Sequence, residues 1–340
     1  MKDMEENGSG LPVPADLIAD GRDGDSPGGL LVRPEEIEAA RQFADASRAS
    51  STRHAYASDW RLFVAWCDQR MVAPLPAHPA LVAVYLASEA ERGVKPSTIS
   101  RRLSAIGYHH HRAQLPAPTA MAGAVAIKEV MAGIRRTFGV APDRKRAVDA
   151  DILRQMLATI ESDGIRAKRD RAVLAVGMAA ALRRSELVAL DVGDAIFVRE
   201  GLLLRIGRSK TDQEGVGETI AIPNGESIRP PALLKDWLKA AGHQDGRLFR
   251  RLTRKDALTE QPMSDRAVAR LVQACASRAG LDARHFAGHS LRAGFLTEGA
   301  RQGASVFRLQ QVSRHRSLDV LSAYVRENEL FNGHAGSRFL

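Results

Sequence analysis

Apolar residues recur every three to four positions through residues 34–136, which is the spacing of helices that bury one face. Five helices are predicted in this region. Their expected starts lie at Pro34, at Ser51 or Thr52, near Pro79, after the segment Pro96–Thr98, and at about Thr119. Proline and hydroxyl residues are typical of the cap or first turn of a helix. Because the intervening segments are short, the pattern predicts a small all-helical domain.

The length of 340 residues favours two domains, and the second is predicted over residues 148–326. Residues 171–181 are almost all Ala, Val, Leu and Met, which indicates a buried helix. Three short apolar runs with turn residues between them predict strands over residues 195–198, 202–207 and 218–223. The rest of this domain is predicted to be helical. The expected fold class is mainly α, with an all-helical N-terminal domain and an α+β second domain that carries a small antiparallel sheet.

Three segments lie outside the two predicted domains. Residues 1–33 are rich in Gly, Pro, Asp and Ser, which predicts a disordered acidic tail. Residues 137–147 include Arg144, Lys145 and Arg146 and are predicted to be a basic linker. Residues 327–340 form a partly apolar C-terminal tail. This tail either docks on a neighbouring protomer or folds back on its own domain.

Positive charge is concentrated outside the first 30 residues. Residues 1–30 hold seven acids and two bases, whereas the whole chain has a net charge of +9. The remaining residues therefore carry +14. A basic body of this kind indicates a polyanionic partner, most often nucleic acid. A basic surface kept for solubility is the alternative, and charge alone does not separate the two.

The sequence carries no signal for a membrane, an export pathway or a metal. No run of about 18 apolar residues occurs, and the acidic N-terminus lacks the apolar stretch of a signal peptide. Two isolated cysteines fit a reducing cytoplasm, where we expect the protein to act. The successive residues His109, His110 and His111 fan around one helix and are expected to form a polar surface instead of a metal site. His285 and His289 lack an evident third ligand.

Four segments of the chain hold five residues suited to attack on a phosphodiester. In chain order these residues are Arg183, Lys210, the pair His289 and Arg292, and Tyr324. The planar fork of arginine stays charged and binds two phosphate oxygens, so two arginines can neutralise the charge that builds at phosphorus. A tyrosine can act as the nucleophile if its proton is removed, and a lysine or histidine can protonate the departing oxygen. Each residue alone has an ordinary structural explanation, but their joint order favours the chemical one.

This set resembles the tyrosine recombinase (phage integrase) family and is most similar to Cre-type recombinases. The segment Ala181–Leu187 matches the family's first arginine box, with Arg183 as the catalytic arginine and Glu186 as the supporting acid. Lys210 in Ser-Lys-Thr matches the lysine of the β-hairpin turn. The remaining matches are the pair His289 and Arg292, the position of His315, and the nucleophile Tyr324. Where many relatives have Leu-Gly-His, this chain has an arginine, Arg314, in the glycine position.

The resemblance implies a mechanism. Tyr324 would attack the scissile phosphate and form a 3′-phosphotyrosyl bond, while Lys210 protonates the leaving 5′-oxygen. Arg183, Arg292 and His315 would hold the nonbridging oxygens. His289 would assist proton transfer and Glu186 would orient the set. No metal or ATP is implied, because the covalent link conserves the energy of the phosphodiester.

The resemblance also implies double-stranded DNA with paired inverted half-sites as the partner, and a homotetramer that holds two such sites. It implies that the two domains form a C-shaped clamp around DNA. Two groups of basic residues are predicted to contact the DNA. They are Arg101, Arg102 and Arg112 on the fourth helix, and Arg144, Lys145 and Arg146 in the linker. Whether the helix reads bases or only contacts phosphates stays open.

Two other functions fit the same residues. A type IB topoisomerase uses a similar constellation but relaxes supercoils as a monomer. A DNA-binding protein that has lost its activity would keep the basic surface alone. The helical N-terminal domain favours a recombinase over the first alternative, and the full set of catalytic residues argues against the second.

Overall fold

The computed structural model describes residues 33–139, 145–207, 217–315, 317, 318, 321, 322 and 324. The chain divides into two units, Met1–Pro142 and Asp143–Leu340. The division falls inside the segment predicted as a linker. The domain boundaries drawn from the sequence stay a prediction.

The described part of the first unit is helical. Its helices are α1 Pro34–Ala46, α2 Ser50–Asp68, α3 Pro79–Glu91, α4 Pro96–Arg112 and α5 Val125–Phe138. The proline starts of α1 and α3 are as predicted. Three predicted starts are wrong: α2 begins at Ser50 without a side-chain cap, α4 begins at Pro96 itself instead of after Thr98, and Thr119 lies in a short 3₁₀ turn, six residues before α5.

Aromatic rings fill much of the core of the first unit. Phe63, Trp66 and Tyr85 pack edge to face or stacked, with ring centroids 5.0 to 6.4 Å apart. Of the three successive histidines, one is buried, one is partly buried and one is exposed. His110 is fully buried, where its Nε2 accepts a hydrogen bond from the Ala77 N–H at 2.9 Å. The predicted polar surface is therefore wrong for this histidine.

The second unit is mostly helical and carries two small sheets. Its helices are α6 Ala150–Ala158, α7 Ile165–Ala179, α8 Arg184–Ala189, α9 Pro230–Ala241, α10 Asp265–Arg278, α11 His289–Arg301 and α12 Val306–Ser313. The strands β1 Ala195–Phe197, β2 Gly201–Ile206 and β3 Glu218–Pro223 form an antiparallel sheet in the order β1-β2-β3. These three strands and the mainly α class are confirmed. The strands β4 Arg250–Leu252 and β5 Leu258–Pro262 form an antiparallel hairpin where only helix was predicted.

Helix α7 is the centre of the second unit. Most of its residues from Ala172 to Met178 are completely buried, as its apolar sequence predicts. Helix α11 packs against α7 and against Val148, two residues before α6. A side chain on Gly294 would meet the Val148 carbonyl oxygen at 1.7 Å, so only glycine allows this approach. The Val148 N–H donates to the Ser290 carbonyl at 2.9 Å, which fixes α11 in place.

Candidate active site

The first arginine of the site stands at the start of α8. Arg183 has extended backbone angles, and its N–H donates to Glu186 Oε2 at 2.9 Å. Its guanidinium Nη1 donates to the other oxygen of the same carboxylate. The Arg183 side chain is 20% exposed, whereas that of Glu186 is 2% exposed. The buried Glu186 therefore anchors Arg183, and part of the Arg183 guanidinium stays accessible to a ligand.

The second arginine projects from the first turns of α11 and is almost completely buried. Arg292 Nη1 donates to the Ala181 carbonyl at 2.6 Å, and Nη2 lies 3.3 Å from His315 Nδ1. Burial and the nearby charge of Arg183 lower the pKa of Arg292 to about 9. The guanidinium is therefore still charged at neutral pH. Its environment favours a compensating anion such as a phosphate oxygen.

His315 follows α12 and faces Arg292. Ser313 Oγ lies 2.8 Å from His315 Nδ1, and the His315 carbonyl accepts a hydrogen bond from Gln310 Nε2 at 3.0 Å. Burial and the charges of Arg292 and Arg183 lower the pKa of His315 to about 4. The imidazole is therefore neutral at pH 7, with one N–H to donate.

His289 is the first residue of α11 and keeps an exposed face. Partial burial, followed by the charges of Arg292, Arg183 and Arg184, lowers the pKa of His289. A neutral histidine at this position can accept or relay a proton at neutral pH.

Tyr324 is half-buried and helical. Its ring packs against the small apolar cluster of α11 and α12 that contains Leu296 and Leu309. The negative charge of its phenolate raises the pKa of Arg292, which places the phenol in the electrostatic reach of the arginine. This electrostatic interaction links the predicted nucleophile to one of the two predicted phosphate-binding arginines.

The structure brings most of the predicted site residues together. Hydrogen bonds connect Arg183 to Glu186 and Arg292 to His315. His289 and Tyr324 interact electrostatically with Arg292. Lys210 lies outside the described residues. The strands on either side of its segment pair with Ile206 opposite Glu218. The roles assigned to these residues stay predictions.

One residue of the site was not predicted to be part of it. Arg314 Nη2 donates to Glu186 Oε2 at 2.7 Å, and both side chains are less than 5% exposed. Burial alone would raise the pKa of Glu186, but Arg314 and Arg183 outweigh burial and hold that pKa below its ordinary range. The only sequence signal was that Arg314 stands in the glycine position of the family pattern.

The three predicted DNA contacts on α4 have different surroundings. Arg101 is about half exposed and donates to Asp59 Oδ2 at 2.7 Å. Arg112 is partly buried, and its Nη1 donates to the Tyr108 hydroxyl at 2.9 Å. Arg102 is 13% exposed and forms an ion pair with Glu89, which is 2% exposed. DNA contact by these residues is untested, and this geometry favours such contact by Arg101 and Arg112 and a structural role for Arg102.

Of the predicted linker contacts, Arg144 lies outside the described residues. Lys145 and Arg146 are exposed but tied to the second unit. Lys145 Nζ donates to the Arg284 carbonyl at 2.9 Å, and the Arg146 N–H donates to the His285 carbonyl at 2.7 Å. Both basic side chains therefore belong to the surface around the N-terminus of α11.

Comparison with known proteins identifies the class to which this site belongs. The family model described as the phage integrase family matches residues 146–330, which is more than half of the chain. The chain is also 34% identical over 318 residues to a protein named integrase/recombinase xerD homolog from Selenomonas ruminantium, a match that covers 91% of this chain and 93% of that protein. The chain belongs to the phage integrase family and is a site-specific tyrosine recombinase.

Two further matches agree with this assignment. Recombinase cre from Escherichia phage P1 is 26% identical over 286 residues, covering 78% of this chain and 81% of that protein. The Tn1549 transposon integrase, solved in complex with transposon right end DNA, is 15% identical with a TM-score of 0.60, covering 86% of this chain and 96% of that chain. At this identity the likeness shows a shared fold.

The described residues lack two features, a membrane-spanning helix and a metal-binding cluster. Across the described ranges, no helix combines the length and apolar character that crossing a bilayer requires. The same ranges hold no cluster of three or more His, Cys, Asp or Glu side chains arranged to bind a metal ion.

Proposed function

We propose that this chain cleaves and rejoins DNA through a covalent 3′-phosphotyrosyl intermediate. The observation that carries the proposal is that Arg183 and Tyr324 both lie within electrostatic reach of Arg292. The two guanidiniums are tied to each other through one short segment, because Arg292 Nη1 donates to Ala181, two residues before Arg183. The two guanidiniums can therefore bind one phosphate between them, close to the Tyr324 phenol.

The proposed reaction needs no reactant other than DNA and the protein. The Tyr324 oxygen forms a bond to phosphorus, the bond from phosphorus to the 5′-oxygen breaks, and Lys210 gives that oxygen a proton. The proton of the phenol passes to His289 or to water. A 5′-hydroxyl of a second strand then attacks the phosphotyrosyl bond and releases Tyr324. Since the ester retains the energy of the original linkage, the exchange needs no ATP.

The other residues support this reaction. His315 is neutral at pH 7 and donates one hydrogen bond to a nonbridging oxygen, while Glu186 holds Arg183. The basic body of the chain, with a net charge of +9 overall, supplies the attraction to duplex DNA. We assign residues 34–136 to DNA binding and residues 148–326 to catalysis. Strand exchange requires two DNA sites, and we propose inverted half-sites held by a homotetramer in the cytoplasm.

A plasmid assay separates this function from its two alternatives. Genomic fragments that the protein binds are cloned as two copies in one supercoiled plasmid, with a one-copy plasmid as the control. A recombinase gives deletion or inversion products from the two-copy plasmid alone. Relaxation of both plasmids without exchange would instead indicate a topoisomerase. Binding without any strand cleavage would indicate a DNA-binding protein and would end the proposal.

A further inference from the structure

The turn that joins α12 to His315 is held in an unusual conformation. Arg314 has a φ of 57° and a ψ of 41°, which is the left-handed region, and its N–H donates to the Gln310 carbonyl at 2.7 Å. Glycine adopts this conformation without steric cost and commonly ends a helix in this way. A glycine also occupies this position in the family pattern. The arginine therefore needs a favourable side-chain interaction to offset its backbone conformation.

The side chain of Arg314 points into the protein. It is 4% exposed, and its Nη2 donates to Glu186 Oε2 at 2.7 Å. Its Nη1 donates to the Val312 carbonyl at 2.8 Å. The residue thus joins the end of α12 to the carboxylate at the start of α8. Because it is buried, Arg314 is not placed to contact a DNA phosphate itself.

One carboxylate is shared by two arginines. Glu186 Oε1 accepts from the Arg183 guanidinium, and Glu186 Oε2 accepts from the Arg183 N–H and from Arg314. If Arg314 were glycine, Arg183 alone would balance the buried negative charge. A stronger bond to Glu186 would leave less of the Arg183 charge available to an incoming phosphate.

We propose that Arg314 is a positioning residue for strand cleavage, which acts by sharing the Glu186 carboxylate with Arg183 and by fixing the turn that carries His315. This inference rests on the proposed function, because Arg183 and His315 are its targets. It adds a third arginine to the site, one that affects the scissile phosphate only through its neighbours.

The test measures cleavage and binding separately. Single-turnover cleavage of a nicked duplex is followed at saturating protein for the wild type, Arg314→Gly and Arg314→Lys. Glycine fits the left-handed turn, so the fold is expected to survive, and thermal melting checks this. We expect Arg314→Gly to slow cleavage by roughly 10- to 100-fold with an unchanged DNA Kd, because small misplacements of reacting groups carry penalties of this order. Arg314→Lys keeps the positive charge but lacks the planar guanidinium, and it is expected to cleave faster than Arg314→Gly and more slowly than the wild type.

A double-mutant cycle shows whether Arg314 acts through Glu186. Adding Arg314→Gly to Glu186→Gln is expected to slow cleavage little beyond Glu186→Gln alone. Glu218→Gln is the matched control, because Glu218 Oε2 lies 4.0 Å from Arg314 Nε but its side chain is 59% exposed. That variant is expected to cleave at the wild-type rate, since exposed pairs contribute little.

Two results overturn the inference, and they are distinguishable from failure of the proposed function. If the wild type forms a covalent adduct and Arg314→Gly forms it equally fast, Arg314 has no positioning role. If the effects of Arg314→Gly and Glu186→Gln simply multiply, Arg314 does not act through Glu186. If the wild type forms no adduct on any bound DNA, the proposed function itself fails, and the inference fails with it.

Discussion

Arg292 Nη1 donates a hydrogen bond to the carbonyl oxygen of Ala181 at 2.6 Å. Ala181 lies two residues before Arg183 and has a left-handed backbone with a φ of 48°. This turn directs its carbonyl at the guanidinium of α11, so the two arginines of the site are positioned against each other by the backbone. Under the proposed function, a phosphate bound by Arg292 would therefore lie close to the segment that carries Arg183.

The buried position of Arg292 predicts that lysine cannot replace it. A lysine cannot donate to the Ala181 carbonyl and bind a phosphate oxygen with the same fork. The surroundings that lower the pKa of Arg292 to about 9 would also leave an ammonium, whose ordinary pKa is lower, more often neutral. We expect Arg292→Lys to slow single-turnover cleavage by roughly 100-fold or more.

The control for this variant lies on the same helix. Arg301 is 50% exposed and pairs with Glu298 at 3.2 Å, so Arg301→Lys is expected to cleave at the wild-type rate. Wild-type cleavage by Arg292→Lys would show that Arg292 only maintains the fold.

The ion pairs of Glu186 predict a stability that depends on pH. Its folded-state pKa is lowered, so its contribution is present above the ordinary pKa of 4.5 and is lost as pH falls through the folded value. At pH 7, Glu186→Gln is expected to reduce the free energy of unfolding by about 3 kcal/mol, because it leaves two arginines without their carboxylate. The difference from wild type should shrink below pH 4.5.

Urea denaturation from pH 7 to pH 3 measures this difference, with Glu218→Gln as an exposed carboxylate control. A gap between Glu186→Gln and wild type that stays constant across the whole range would contradict the lowered pKa.

His315 is predicted to titrate far below an ordinary histidine. Burial and the charges of Arg292 and Arg183 lower its pKa to about 4. NMR of the imidazole carbons, assigned by comparison with His315→Gln, should show this midpoint in the free protein. Binding of a phosphate between the arginines should raise the pKa, because an anion favours the protonated ring. A midpoint near the ordinary value of 6.5 in the free protein would contradict the described environment.

Of two arginines on α4, Arg102 is predicted to affect stability and Arg112 to affect DNA binding. Arg102 pairs with the buried Glu89, so Arg102→Ala is expected to destabilise the protein by about 3 kcal/mol and leave the DNA Kd of the folded protein unchanged. Arg112→Ala is expected to weaken DNA binding and to reduce the slope of log Kd against log salt by about one. Fluorescence anisotropy at several salt concentrations, together with thermal melting, measures both. A reduced salt slope in Arg102→Ala would reverse the assignment.

The sequence is most informative where the chemistry requires a particular residue type. The segments around Arg183, Arg292 and Tyr324 are recognisable because few side chains can neutralise a phosphate or form a phosphotyrosyl bond. Helix starts at Pro34 and Pro79 are predictable because proline fits the first turn of a helix. Each of these features depends on a few neighbouring residues, so a short stretch of sequence is sufficient to predict it.

The features that the sequence did not predict depend on tertiary contacts. The role of Arg314 follows from its left-handed backbone and from a partner that lies 128 residues away in the sequence. His109 looks polar but stacks on Trp60, with ring centroids 4.5 Å apart. The hairpin of β4 and β5 was missed because it is short, polar and interrupted by a bulge, so the alternation that marks a strand is weak.

The proposed covalent intermediate is tested most directly by identifying the residue that joins the protein to DNA. The protein is trapped on a nicked duplex, and the adduct is digested and mapped by mass spectrometry. The chain has four tyrosines, and we expect only Tyr324 to carry the 3′-phosphate, with Tyr324→Phe binding DNA but forming no adduct. An adduct at Tyr56, Tyr85 or Tyr108, or full cleavage by Tyr324→Phe, would show that Tyr324 is not the nucleophile.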